Sequence, residues 1–298
     1  MTATSETQAP SAPPKISVYQ LRYILGQVVR YFLFVAIGFV FILPFLLAAL
    51  GSFKTNSEIV AYPPRFLPAH WLVQNWVEVW QTDLGQGATF PRWLFNTAIL
   101  SVTVAVLETI ACSMAGYSFA RLEFPGRNLV FTLMLGTMMI PGAVTLIPGY
   151  VLVTKLKLIN TYWSLILPSI TSAAAIFLLT QFFRGIPREL EEAAVIDGAS
   201  HMQIYRTVVL PLARPALLTV FILQFQGMWN NFLTPLLYLN SPKMYVLNVA
   251  LSIFQQQYKE QWNLILVGAM VNAVPILLLF FFFSRYYIES LSYAGLKG

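Results

Sequence analysis

Cysteine, histidine and charge are all scarce in this sequence. Cys112 is the single cysteine, which excludes an intrachain disulfide and says little about redox compartment. His70 and His201 are the two histidines and stand far apart. Neither an HExxH nor a CxxC pattern occurs, which argues against a protein-bound structural metal. Only 10% of the 298 residues are charged, where a soluble domain carries about 25%. A phosphate-binding GxxxxGK[ST] loop is missing, so the sequence has no ATPase signature of its own. No internal repeat of the kind that marks many secondary carriers is visible. The net charge of +6 is spread between apolar segments, which suits juxtamembrane anchoring rather than nucleic acid.

What the chain has is apolar surface. It is 57% hydrophobic and its mean hydropathy is +0.67. The apolar runs are long and continuous rather than alternating, so helices in lipid are expected and a β-barrel is not. Six spans fit the bilayer rule, at about 31–50, 93–116, 128–150, 162–183, 214–238 and 263–284. Pro44, Pro141, Pro148, Pro168, Pro235 and Pro275 lie inside them, and "MIPGAVTLIPGY" predicts a break or kink in the third. Residues 1–18, with three prolines and little to bury, read as a short disordered tail. The apolar stretch after Arg30 is too long for a signal-peptide core and lacks a clear cleavage site.

Charge asymmetry orients the spans. An inside N-terminus places eleven bases inside: Lys15, Arg22, Arg30, Arg121, Arg127, Arg184, Arg188, Arg206, Arg214, Arg285 and Lys297. Seven then lie outside: Lys54, Arg65, Arg92, Lys155, Lys157, Lys243 and Lys259. The bias favours cytoplasmic termini. The resulting organisation is a cytoplasmic N-terminal tail at 1–29, a six-helix transmembrane domain at 30–285, and a cytoplasmic C-terminal tail at 286–298. Within it, a cytoplasmic loop at 184–213 joins helices 4 and 5. Outside, residues 51–91 hold Tyr62, Trp71, Trp76 and Trp80, which suit an interface belt. The stretch "FQQQYKEQW" is polar enough to face a partner or solvent.

The inner loop holds the densest acids. "RELEEAAVIDGAS" contains Glu189, Glu191, Glu192 and Asp197, four of the chain's twelve. An acid at mid-bilayer costs about 2.5–3.5 kcal/mol on insertion scales, so the segment is excluded from the membrane. It still reads as helix. Pro187 suits a first turn, Glu189 and Glu191 sit at the positive end of the dipole, and Gly198 is a stop that tolerates the left-handed cap. Ser200 and Gln203 match a capping box that starts a second helix. Ile204, Tyr205, Val208 and Val209 give this helix an apolar stripe, and it ends at Pro211. On the first helix Leu190, Ala193, Ala194 and Asp197 share a face, where two alanines permit close approach. A helix lying on lipid would carry Lys and Arg. This polar face is acidic, which favours a protein partner.

The pattern Glu192-Ala193-Ala194, Gly198, then Val208, Leu210 and Pro211, resembles the cytoplasmic EAA loop of ABC importer permeases. "DGAS" sharpens the likeness toward the maltose-type carbohydrate uptake family. "GYSFARLEFPGR", "LINTYWSLILPSI", "FLLTQFFRGIPRELEEAA", "WNNFLTPLLYL" and "AGLKG" are similar to that family as well, so the likeness covers roughly 30–298. The closing "YIESLSYAGLKG" departs from the family's more Gly-rich tail. The resemblance implies an all-α permease that binds no cofactor itself, with ATP and Mg held by partner ATPase subunits. It implies a second permease subunit as heterodimer partner, two cytoplasmic ATPase subunits, an extracytoplasmic solute-binding protein, and a sugar substrate. The place would be a bacterial cytoplasmic membrane, with lipid as solvent and no nucleic-acid partner. Glu192, Ala193, Ala194, Asp197, Gly198, Leu210 and Pro211 would then couple to the ATPase.

Polar residues inside spans are candidates for a pathway. In the fifth span Gln224, Gly227 and Asn231 share one face, Gln226 and Asn230 another, and Trp229 lies between. Amides and an aromatic suit sugar hydroxyls and ring faces, while interhelical hydrogen bonding is the competing use. Glu108 is the one acid deep in a span. A proton relay would need a second, so a structural role is expected. "GYSFA" grazes the GxSxG elbow but lies at a span end with no histidine near. The rival readings are a permease for glycerol phosphate or another polar solute, a proton-coupled carrier, and a membrane enzyme.

Overall fold

The computed structural model describes residues 18–295 apart from 84, 86 and 258–260. Except for Val18, the expected disordered tail lies outside the described residues, as do Lys259 and Lys297. The chain divides into two units, residues 1–48 and 49–298. The first is the body of one apolar helix, α1 (Val18–Gly51), whose last turn belongs to the second unit.

The second unit is helical throughout, and among the described residues its sole β feature is an isolated bridge, Asp83 to Thr89. Short helices α2 (Asn56–Val60) and α3 (Gln74–Gln81) precede the long α4 (Phe90–Arg121). A broken pair follows, α5 (Arg127–Thr137) and α6 (Gly142–Lys155), then α7 (Trp163–Ile166) and α8 (Ala173–Arg184) joined through a 3-10 turn. The loop is α9 (Glu189–Ile196), α10 (His201–Ile204), a π turn and α11 (Leu210–Leu212). The chain continues with α12 (Arg214–Trp229), α13 (Leu233–Tyr238), α14 (Leu247–Gln257) and α15 (Trp262–Gly295).

α4 organises the core. It packs along both α8 and α12, and α12 packs along α15. Its buried face steps through Leu100, Ser101, Val104, Ala105, Glu108 and Cys112 at spacings of three and four. Gly116 continues that face against α8. A Cβ there would stand 3.1 Å from Leu179 Cβ and 3.3 Å from the Thr180 nitrogen, so any side chain would require α8 to give by a few tenths of an ångström. The close packing of small residues is what holds helices together where lipid removes the hydrophobic drive.

The segment after α1 is a folded cap. Asn75 Nδ2 donates to the carbonyls of Ser52 and Lys54, both at 2.9 Å, and its Oδ1 accepts from Asn263 Nδ2 at 3.0 Å. Glu58 closes a capping box on Thr55 and also accepts from the Ala69 N–H at 2.9 Å. These backbone donors, Thr55 first, hold its carboxyl below the usual carboxylate range. Of the aromatics expected in an interface belt, Tyr62, Trp71 and Trp80 are exposed on the cap, while Trp76 is half-buried and its indole donates to Ser52 Oγ at 3.3 Å.

Another strap crosses the same end of α4. Trp93 Nε1 donates to the Pro242 carbonyl, and Asn96 Nδ2 to those of Lys243 and Tyr245. Asn160, in the left-handed region at φ 60°, accepts from the N–H groups of Asn240 and Ser241.

The spans differ from the sequence expectation in continuity. Three helices are long and apolar enough to cross a membrane, at Tyr23–Gly51, Phe90–Arg121 and Trp262–Phe283. Counting each bent pair as one span gives up to six. The expected break in the third falls at 138–141, where α5 and α6 meet at 101°. The fourth bends by 40° at the Ser172 cap of α8. The fifth, expected to run unbroken to 238, is corrected. α12 stops at Trp229, the polar pair Asn230 and Asn231 lies outside the helix, and α13 restarts at Leu233. Sixteen residues of α12 span about 24 Å, short of a bilayer core of ~30 Å. α15 remains helical to Gly295, through most of what the sequence sets apart as a tail.

Candidate functional site

The loop from α9 to α11 is built by local rules that close every turn. Arg188 carbonyl accepts from Glu191 and Glu192, starting α9. At its end Gly198 adopts φ 80°, with nothing within 4 Å of where a Cβ would sit. Ala199 N–H donates to the Ala194 carbonyl and Gly198 N–H to that of Val195, both at 2.9 Å. This is the Schellman arrangement, which satisfies the last carbonyls of a helix. The Ser200–Gln203 capping box forms in both directions, Ser200 N–H to Gln203 Oε1 at 2.7 Å and Gln203 N–H to Ser200 Oγ at 3.4 Å. Helix, glycine turn and helix therefore stand as the sequence predicts.

The second helix does not simply end at Pro211. It widens into a π turn at Tyr205–Val209, with Leu210 N–H reaching back to the Tyr205 carbonyl. A proline at 211 cannot donate and crowds the carbonyl one turn earlier, and the widened turn relieves this. The helix runs on to Leu212 and meets α12 at 79°.

The loop's two faces are unequal. Glu192, Ala193, Asp197, Gly198 and Pro211 are exposed, while Ala194 and Leu210 are half-buried. Ala194 and Leu210 pack on the chain's own cluster of Phe183, Ile186, Ile204 and Val209, so the two alanines do not share one free surface. Ala193 remains outward, among Leu190, Val195, Ile196 and Met202, all exposed. Loop and bundle are joined by contacts that the sequence does not announce. Arg121, the last residue of α4, pairs with Glu191, and both side chains are nearly buried. The same guanidinium donates to the Ile186 carbonyl at 2.6 Å. Tyr205 OH and Ser113 Oγ share a hydrogen bond of 2.6 Å.

The polar end of α12 divides differently from its helical wheel. Trp229 is 2% exposed and stacks on Phe225. Its Nε1–H donates to the Asn272 carbonyl and Oδ1, each at 3.0 Å. Asn272 Nδ2 donates to Asn248 Oδ1, and Asn248 Nδ2 returns to the Trp229 carbonyl at 2.9 Å. The ring thus closes a network across α12, α14 and α15, the interhelical use of an intramembrane polar group. Asn231 is half-buried and donates to Thr234 Oγ1 at 2.7 Å, and Gln224 is half-buried. Gln226, Gly227 and Asn230 are exposed and share one stripe with Leu223. Asn272 lies in the expected sixth span, and an amide there was the missed signal.

Glu108 is buried on α4, and its Oε1 has no hydrogen-bond partner among the described residues. Among the described residues no group of three or more His, Cys, Asp or Glu side chains could hold a metal.

A helical bundle with several helices long and apolar enough to cross a membrane, and a capped, exposed loop between two of them, defines a multi-pass membrane protein. The family described as the binding-protein-dependent transport system inner membrane component matches residues 109–291, and the chain belongs to it. The chain is 36% identical over 267 residues to the arabinooligosaccharides transport system permease protein AraQ of Halalkalibacterium halodurans, covering 89% of this chain and 94% of that one. It is 31% identical over 252 residues to the sn-glycerol-3-phosphate transport system permease protein UgpE of Brucella abortus, covering 83% and 89%. Its fold is similar to a chain in the crystal structure of a bacterial ABC transporter involved in the import of the acidic polysaccharide alginate. The TM-score is 0.77 at 22% identity, covering 92% of this chain and all of the other.

Proposed function

We propose that this chain is the permease subunit of an ATP-driven importer for an oligosaccharide or related sugar. It pairs with a second permease, and each loop seats in a cytoplasmic ATPase subunit that holds ATP and Mg. An extracytoplasmic binding protein delivers the sugar, and alternating access moves it inward. Both termini are then cytoplasmic. The observation that carries this reading is the loop: a helix–glycine–helix unit closed by its own caps, with Leu190, Ala193, Val195 and Ile196 exposed beside Glu192 and Asp197. An amphipathic face of this kind fits a groove in a protein partner. Sugar is favoured over glycerol phosphate by the higher identity to the arabinooligosaccharide permease. The exposed Gln226, Gly227 and Asn230 stripe, two amides beside open backbone, suits sugar hydroxyls and carries no base for a phosphate.

The test is purification from native membranes followed by reconstitution. The expected result is co-purification with an ATPase subunit, and hydrolysis stimulated by binding protein with arabino-oligosaccharides and not with glycerol 3-phosphate. Stimulation by glycerol 3-phosphate alone would replace sugar by the rival solute. A chain that purifies intact without an ATPase subunit would overturn the reading.

A further inference from the structure

In sequence the loop lies between α8 and α12, so those two helices are its covalent neighbours. Its side chains, however, grip a third. Glu191 on α9 pairs with Arg121 at the end of α4, at side-chain exposures of 13% and 6%. Arg121 also donates to the Ile186 carbonyl at the root of the loop. In the second loop helix Tyr205 is tied to Ser113 of α4 by the 2.6 Å hydrogen bond, and its ring lies 5.1 Å from that of Tyr117. Ser113 and Arg121 are eight residues apart on one helix, about 12 Å along its axis. Two attachments so spaced fix an orientation, where one would leave a pivot. Glu189 and Glu192, beside Glu191, are exposed, so the half-buried Glu191 is the one member of the acidic run that is turned inward.

We infer that Arg121 and Glu191, with Ser113 and Tyr205, form a two-point latch that makes α4 move with the loop. This rests on the loop being the ATPase-docking element proposed above. The force of the docked ATPase enters the bundle through α4 directly. From α4 it reaches α8 and α12 across the close contact at Gly116 and the buried face around Ala105. Arg121 and Glu191 are positioning residues in this scheme, and the docking surface is the exposed side of α9.

The test uses the whole transporter in lipid nanodiscs, with spin labels at Met114→Cys and at Thr207→Cys, exposed on the second loop helix away from the docking side of α9, in a Cys112→Ser background. The inference predicts one narrow distance, unchanged by ATP. Glu191→Gln broadens it, Tyr205→Phe broadens it less, and the two together broaden it most. In vesicles the same variants keep their bound ATPase subunits and hydrolyse ATP, but arabinotriose taken up per ATP falls at least fivefold in Glu191→Gln. Arg121→Lys, which keeps the charge, recovers part of the ratio that Arg121→Met loses. A distance distribution in both Glu191→Gln and Tyr205→Phe that matches the parent would overturn the latch. Loss of the ATPase subunit from Glu191→Gln would also overturn it, by making Glu191 a docking contact. A parent protein that binds no ATPase subunit defeats the proposed function instead, and the distance measurement still decides whether the latch exists.

Discussion

The inner loop and the end of α12 are both polar interruptions in an apolar chain, and they are built in opposite ways. In the loop the backbone is closed by its own caps, so most side chains are free to face outward. At the end of α12 the side chains themselves close the structure: Trp229, Asn248 and Asn272 spend their donors on one another. Exposed polarity over a satisfied backbone is a surface for a partner. Buried polarity in a closed ring is a joint between helices. Gln226, Gly227 and Asn230 sit beside that joint with the loop's kind of exposure, which is why we propose them, and not Trp229, for contact with sugar.

The comparison is broken most directly at Gly198. Its φ of 80° penalises any side chain by ~1–2 kcal/mol, and a β-branched one by more. With open space around it the effect is on backbone alone. Gly198→Val is expected to stay in the membrane while sugar uptake falls at least tenfold, read by transport assay beside a membrane-fraction blot. The joint is tested by Asn272→Leu, which leaves the Trp229 indole only the backbone carbonyl of its two acceptors and takes the donor from Asn248 Oδ1. The expected loss is about 1–3 kcal/mol, seen as a lower Tm in detergent, with ATPase binding intact. Gln226→Ala with Asn230→Ala should change KM for sugar several-fold and leave the ATP hydrolysed per sugar unchanged. Ser200→Ala removes one cap of the loop at a cost of ~1 kcal/mol. Uptake should fall by no more than about fivefold, the factor that ~1 kcal/mol sets on an equilibrium. Smallest of all, Glu108→Gln should leave uptake within about twofold at every pH from 6 to 8, since a proton relay requires partners that α4 does not supply. Abolished uptake would favour the proton-coupled reading.

Legibility in the sequence followed the range of the interactions. Gly198, Ser200 and Gln203 act on neighbours within a turn, so their pattern could be read directly and the turn forms as expected. The break near Pro141 was equally local. Arg121 and Glu191 meet only because α4 and the loop are brought together by the fold, and neither residue has a local pattern that marks the other. The same holds for Trp229, whose partners come from α14 and α15. The sequence extends the fifth span to 238 because Leu233 to Tyr238 resumes an apolar run. Composition registers that run but not the intervening Asn230–Asn231 exit from the helix. Ala193 and Ala194 share a face of the helical wheel, yet α9 lies close enough to Phe183 and Ile204 that Ala194 packs into the core.

The central claim is that the exposed side of α9 receives an ATPase. Ala193 is exposed and small, at the middle of that side. Ala193→Arg adds bulk and charge at a docking surface while touching none of the loop's own caps. The decisive measurement is the amount of ATPase subunit that co-purifies with this variant relative to the parent. The account predicts stoichiometric recovery with the parent and at least a tenfold loss with Ala193→Arg, at equal yield of folded chain. Equal recovery with both would contradict it.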